Sequence, residues 1–330
     1  NVALSPYAMR DLTTGTFNIA IGDNAMVDGI VTGNHNLAIG YLPLENLTGG
    51  IGNIALGREA LETLTVGNNN VALGNFSLEV VNASENTAVG NYSGQNNTST
   101  DQVFIGYSAG QFTTSGAGQT FVGHNAGKGI SGGGLLTGTN NTAVGRDAGL
   151  TLQGNAYSNT FVGANCGAGV TTGDLNTFVG ASTASAAAVT GARNNAFGYL
   201  AGEDLTSGTN NVLMGSYSGK GISTGVSNTV CGEAALIAET GGDKNTAIGA
   251  EALKAQNGGI DGNVAVGYYA GFYLTSGSYN TIIGSEAMSS SAVTGAQNVA
   301  LGYRAGKGIT SGGGNVIIGK YAAAETTILT

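Results

Sequence analysis

One five-residue motif, Asn-x-φ-φ-Gly with φ apolar, returns nineteen times along these 330 residues, mostly at intervals of 17 or 18. It is written Asn18-Ile-Ala-Ile-Gly22, Asn53-Ile-Ala-Leu-Gly57, Asn141-Thr-Ala-Val-Gly145 and Asn298-Val-Ala-Leu-Gly302. Its copies start at residues 1, 18, 36, 53, 70, 86, 102, 119, 141, 159, 176, 194, 211, 228, 245, 263, 280, 298 and 315. A fixed period this short means like units stacked on one another, each contacting its neighbours, and not a globular core. The repeat has no break in sequence, so residues 1–330 read as a single repeat domain.

The period alone would also suit five helical turns. Each unit carries several glycines, however, and an interior glycine costs a helix roughly 1 kcal/mol relative to alanine. Val, Ile, Thr and Phe gather between the motif Asn and Gly, as strand chemistry requires, and Thr-Gly and Ser-Gly pairs punctuate the rest. A second small-residue element follows, as in Asp147-Ala148-Gly149 and Arg304-Ala305-Gly306. Each unit therefore reads as strand, tight turn, short small-residue strand and wider turn. The expected fold is all-β, a parallel β-solenoid of about nineteen 17–18-residue coils, and coils about 4.8 Å apart would stack to on the order of 90 Å.

The fifth position is Gly in every copy but the first, where Ser5 stands, which points to a positive φ or to a close backbone approach. The leading residue points to a side-chain amide ladder through Asn18, Asn36, Asn53, Asn70, Asn86, Gln102, Gln119, Asn141, Asn159 and Asn176. The two glutamines keep the amide but not the left-handed preference of asparagine, which favours the ladder over a turn role. The always-apolar fourth position is expected inside the coil. The third position would then face outward, yet it is apolar too: Ala in most copies, and Phe104, Phe121, Phe161, Phe178, Leu213, Ile282 and Ile317 in others. A strand apolar on both faces is normally buried on both, so these residues are expected to form an oligomer interface around a symmetry axis, and a homotrimer is anticipated.

Repeats of this kind, carried most clearly by Asn141-Thr-Ala-Val-Gly145, Asn245-Thr-Ala-Ile-Gly249 and Asn263-Val-Ala-Val-Gly267 with a trailing Ala-Gly and Thr-Ser-Gly, resemble those of phage tail fibres and of trimeric autotransporter adhesin heads. The resemblance implies a left-handed parallel β-roll and a homotrimeric extracellular fibre, on a virion or a cell surface, that is structural or adhesive. The units here run a few residues longer than adhesin-head repeats.

Chemistry is sparse. His35 and His124 lie several coils apart, and Cys166 and Cys231 lie four coils apart, roughly 19 Å at this rise, where a disulfide needs Cα atoms within about 7 Å. Both cysteines are expected as packed small residues. No carboxylate pair recurs at a fixed offset, as sugar cleavage would require, so no enzyme, metal or cofactor is expected. Glu59 and Glu62 read as solvated turn residues. The net charge of −9 is spread thinly with no basic stripe, against a nucleic-acid partner, and no apolar run approaches 18 residues, against membrane insertion.

Two features are candidate surface contacts. Tyr41, Tyr107, Tyr199, Tyr268 and Tyr303 follow the motif glycine and could stack on a cell-surface glycan or receptor, or pack between coils. The 22-residue unit after Gln119 carries a loop insertion at about 128–138, with Ser131, Gly132, Gly133 and Gly134 at its tip. Uncapped coil edges would also allow end-to-end assembly, making a self-polymerising filament one alternative to the fibre. An ice-binding solenoid is another, although its flat threonine array is missing from what reads as one mixed strand position and irregular turns.

Overall fold

In the computed structural model, which describes residues 1–27, 30–132, 134–290 and 292–324, the motif forms a strand of three residues in every copy. Where the sequence suggests one uninterrupted domain, the chain falls into two compact units, Asn1–Asn165 and Cys166–Thr330. The first carries ten strands, from β1 (Val2–Leu4) to β10 (Thr160–Val162), and the second nine, from β11 (Thr177–Val179) to β19 (Val316–Ile318). Within each unit every strand pairs in parallel with the next in sequence, motif on motif. Ala20 thus sits opposite Ala38 in the first unit, and Ala247 opposite Ala265 in the second. Both units are stretches of parallel β-solenoid, and no helix occurs among the described residues.

The motif asparagines from Asn18 to Asn298 are buried and joined by hydrogen bonds from coil to coil. Asn36 donates its backbone N–H (2.9 Å) and its Nδ2 (3.1 Å) to Asn18 Oδ1, and its Nδ2 also reaches Gly50 O at 2.8 Å. The same triplet recurs at Asn53, Asn194, Asn211, Asn228 and Asn298. Each amide thereby satisfies itself and one orphan backbone donor in the dry interior. Gln102 and Gln119 continue the column with a longer arm. Gln119 N–H donates to Gln102 Oε1 at 3.0 Å, and Gln102 Nε2 reaches Gly116 O at 2.6 Å. None of the ladder asparagines has a positive φ; the residue before each does, His35, Asn69 and Lys244 among them.

The strand faces are the reverse of the sequence expectation. The third position points into the coil: Ala20, Ala38, Phe104, Phe121, Phe161, Phe178, Leu213 and Ile282 are fully buried, and Ile317 nearly so, within a single chain. These residues therefore build the core and are not free to form an oligomer interface. The second and fourth positions face outward, with Leu4, Ile105, Met214, Ile248 and Ile318 exposed. Cys231, a fourth-position residue, is exposed with them, while Cys166 is buried and its Sγ donates to Phe178 O at 3.1 Å.

The small-residue segment is also not a strand. Counting the motif Asn as position 1, positions 7 and 9 both take left-handed backbone angles, as at Glu59 and Leu61 (φ 54° each), so the segment closes as a turn. It is still tied to its neighbours, since Glu59 N–H donates to Tyr41 O (2.9 Å) and Leu61 N–H to Ser77 O (3.1 Å). The motif glycine combines both reasons anticipated for it. Gly249 has φ +125°, and a Cβ there would lie 2.5 Å from Gly267 O. Strain and clash act together, and only a missing side chain avoids them.

Positions 3 and 9 share one interior volume. Ala38, Ala55 and Ala72 pair with Leu44, Leu61 and Leu78, whereas Phe104 and Phe121 pair with Gly110 and Gly127. A Cβ on Gly127 would sit 2.4 Å from the Phe121 ring. Where both positions are small the neighbouring coil fills the gap, as Phe104 and Leu78 do beside Gly94. The interior is close-packed by exchange of volume between the two positions. Among the described residues one carboxyl side chain lies in this interior: Glu239, fully buried where other coils place Leu205 or Ile222. Its Oε1 accepts from the backbone N–H groups of Thr240, Gly241, Gly242 and Gly259 at 2.9–3.1 Å, and its Oε2 from Gln256 Nε2 at 3.2 Å.

Two outcomes are expected from this packing. Asn211→Ala strands Asn228 N–H and Gly225 O without partners and should lower stability by about 3 kcal/mol, read by chemical denaturation. Phe121→Ala should cost about 3–5 kcal/mol by cavity formation, and Gly127→Leu should overpack. Combined, they recreate the Ala–Leu pairing of other coils, so a double-mutant cycle should return a favourable coupling above about 1 kcal/mol. Additive losses would contradict the shared volume.

Candidate functional site

Four surface columns follow from this register, because equivalent positions stack one coil apart. The first is the outer strand face just described. The second runs along positions 6 and 7. In the first unit Arg58 lies 5.8 Å from the Tyr41 ring and 5.3 Å from Phe76. Phe76 stacks on Tyr92 at 5.1 Å, Tyr92 meets Tyr107 edge-on at 6.0 Å, and Tyr107 stacks on His124 at 5.4 Å. Tyr41 and Tyr107 are exposed, but the ring faces in this column lie against a neighbouring side chain. The column is a coil-to-coil zipper of aromatic and cation–π contacts, the packing alternative for these tyrosines.

In the second unit Tyr199 meets Tyr217 edge-on at 5.5 Å, and the half-buried Tyr303 meets Tyr321 at 5.3 Å with the Arg304 guanidinium 5.1 Å from its ring. Tyr268 differs. It packs at 4.2 Å against Tyr269 of its own coil, which stacks on Phe272 at 4.5 Å, which meets Tyr273 at 4.4 Å. The Tyr269 hydroxyl is pushed up to about 12, first by its hydrogen bond with Tyr268, then by partial burial and by Glu251.

The third column is threonine at position 13, through Thr48, Thr65, Thr98, Thr114, Thr206 and others. The turns are more regular than the sequence suggested. Thr48 Oγ1 donates to Thr65 O at 3.1 Å, Thr98 Oγ1 to Thr114 O at 3.1 Å and Thr206 Oγ1 to Ser223 O at 3.1 Å. These hydroxyl protons bind the coils together, which weighs against an ice-facing array. In the inserted loop Ser131, Gly132 and Gly134 are exposed, while Leu136 is buried and bridges to Thr113. Gly133 lies outside the described residues.

The fourth column is acidic. Glu45, Glu62 and Glu79 occupy position 10 of successive coils, and Glu59, Glu62 and Glu79 each bring a carboxylate oxygen within 4.8 Å of the others. The sequence alone reads Glu59 and Glu62 as solvated turn residues. Stacking at one position makes them neighbours, and only knowledge of the register brings that out. Arg58 Nε pairs with Glu59 at 2.7 Å, and Gln95 Nε2 donates to Glu79 Oε2 at 2.7 Å. Oxygen groups of this kind suit a hard cation, but the pairs to Arg58 and Gln95 already satisfy part of them. Burial, with the like charges of Glu59, Glu45 and Glu79, raises the Glu62 carboxyl to about 7.

Comparison with known proteins gives no assignment: no protein-family model matches this chain, and no curated protein matches it. Among the described residues no helix is long and apolar enough to cross a membrane.

The acidic column has a pH consequence. With Glu62 raised from the ordinary 4.5 to about 7, the folded chain holds that proton more tightly than the unfolded chain does. Stability should therefore fall as pH rises from about 4.5 to 7 and level off above, by less than about 1 kcal/mol for a carboxyl so open to solvent. Thermal melts from pH 4.5 to 8 should show this drift, and Glu62→Gln should flatten it.

Proposed function

We propose that this chain is a non-enzymatic, structural and adhesive segment of an extracellular fibre, assembled as a homotrimer through its outer strand faces. A phage tail fibre or similar virion appendage is the first choice, and a bacterial surface adhesin the second. The observation that carries the reading is the outward apolar stripe. The fourth motif position is apolar in all nineteen copies, and the second is aliphatic or Thr in all but one, where Asn195 stands. Within the first unit, ten strands about 4.8 Å apart and three residues wide present roughly 450 Å², a size at which apolar surface marks a contact. The interface thus moves from the third position, where the sequence placed it, to the second and fourth. The likeness to trimeric fibre repeats supplies the number three, and repeated weak contacts across three chains would act by avidity.

Sedimentation analysis tests the assembly: three chains are expected, and a monomer at micromolar concentration would defeat the reading. Cys231 is a built-in reporter, since it stands in the stripe between Met214 and Ile248 while Cys166 is buried. Mild oxidation should give a disulfide-linked dimer on a denaturing gel, absent in Cys231→Ser. Ile248→Glu should weaken the assembly without unfolding the coil. Growth without limit would instead indicate the filament.

A further inference from the structure

The aromatic groups of this chain are mostly arranged one or two per coil and packed onto the coils above and below. One coil breaks that rule. Tyr268, Tyr269, Phe272 and Tyr273 come from a single coil, with centroid separations of 4.2, 4.5 and 4.4 Å along the series. The inner pair, Tyr269 and Phe272, is stacked within 7° of parallel and half-buried. The outer pair is open: Tyr268 is 53% exposed and Tyr273 44%. The register explains why. Tyr268 stands at position 6 between Ala250 and Ser285, and Tyr273 lies above Ala255, so small residues flank the rings along the stack. Unlike Tyr107, which stacks on His124, Tyr268 packs among the described residues against a ring of its own coil.

A polar pair borders the cluster. Lys254 Nζ lies 5.4 Å from the Phe272 ring centroid and 2.9 Å from Glu251 Oε2, and Glu251 also interacts with the Tyr269 hydroxyl. We propose that Tyr268, Tyr269, Phe272 and Tyr273, with Glu251 and Lys254, form a saccharide-binding site. A pyranose ring has one face of C–H groups and a rim of hydroxyls. The C–H face fits a flat, partly exposed aromatic surface, where it loses little on leaving water. The rim hydroxyls need both donors and acceptors nearby, and the ammonium, the carboxylate and the tyrosine hydroxyls supply them. The outer rings lie open at the surface and not in an enclosed pocket, which suits an internal stretch of a linear glycan. The inference rests on the adhesive part of the function proposed above, but not on the trimer.

The test is saturation-transfer NMR of the intact chain with cello-, chito-, xylo- and mannohexaose, followed by titration of whichever binds. Binding by at least one is expected, with saturation strongest on the sugar C–H protons. Tyr268→Leu combined with Tyr273→Leu keeps the apolar volume but loses the flat faces, and should weaken that affinity about ten-fold at an unchanged melting temperature. Tyr199→Leu, in a different coil, should leave it unchanged. Glu251→Ala gives a second reading by removing the acceptor while keeping the rings, and should also weaken binding. The proposal falls if no hexasaccharide binds, if the double variant binds like the wild type, or if the cluster takes up phosphatidylcholine vesicles and no sugar. Sedimentation of the same samples separates the two ideas: trimers without sugar binding remove only this site, and sugar-binding monomers remove only the trimer.

Discussion

Everything in these coils depends on placing an amide where there is no water. A buried asparagine side chain has two donors and an acceptor to satisfy, and one coil by itself cannot supply all the partners. The next coil does, with a backbone N–H, an amide and a glycine carbonyl, as Asn36 shows between Asn18 and Gly50. An unpaired amide in such a place would cost several kcal/mol, so the requirement that each coil meet a like coil in register is strict. The strands are only three residues long and would be marginal on their own. The amide column holds the register, and the motif glycine lets the backbones approach closely enough to keep it.

Packing around that column is economical. Because positions 3 and 9 share a pocket, the interior can bury Phe121 with Gly127 beside it or Ala55 with Leu61. Positions 7 and 9 accept leucine, glutamate or tyrosine in left-handed conformations that those residues usually avoid, a strain that the surrounding ladders offset. Glu239 extends the same logic to a charge, surrounded by backbone N–H groups of its own coil and the next.

The period, the parallel register, the amide ladder and the glycine role were legible in the sequence because each is one residue type repeated at one spacing. The direction of the strand was not. Its faces are both apolar, so alternation carries no sign, and alanine at position 3 reads as a surface residue although it is small because a leucine such as Leu44 or Leu61 at position 9 fills the shared volume. A signal was available in the covariation of Phe104 with Gly110 and of Ala38 with Leu44, which ties position 3 to an interior partner. The turn after the glycine reads as a strand in the sequence because small residues suit both, and the alternating positive φ values decide it. Among the candidate contacts, Tyr107 and Tyr268 occupy the same position in the repeat. Their different settings depend on whether the adjacent coils place His124 or Ser285 alongside, a relation visible only once the register is known.

The amide column also has a direction. Asn18 accepts from Asn36, Asn36 from Asn53, and Asn194 from Asn211, so each coil presents an acceptor to its successor and receives none back through that oxygen. A coil is in this sense a tile with one donor edge and one acceptor edge. Copying a whole tile and setting it into the series leaves every seam as it was, whereas adding or losing residues inside the strand would break two seams at once. Change in such a gene is therefore channelled into duplication of complete repeats and into the corners between them, where the 22-residue unit already stands, and the number of coils is free to drift while the coil itself stays the same.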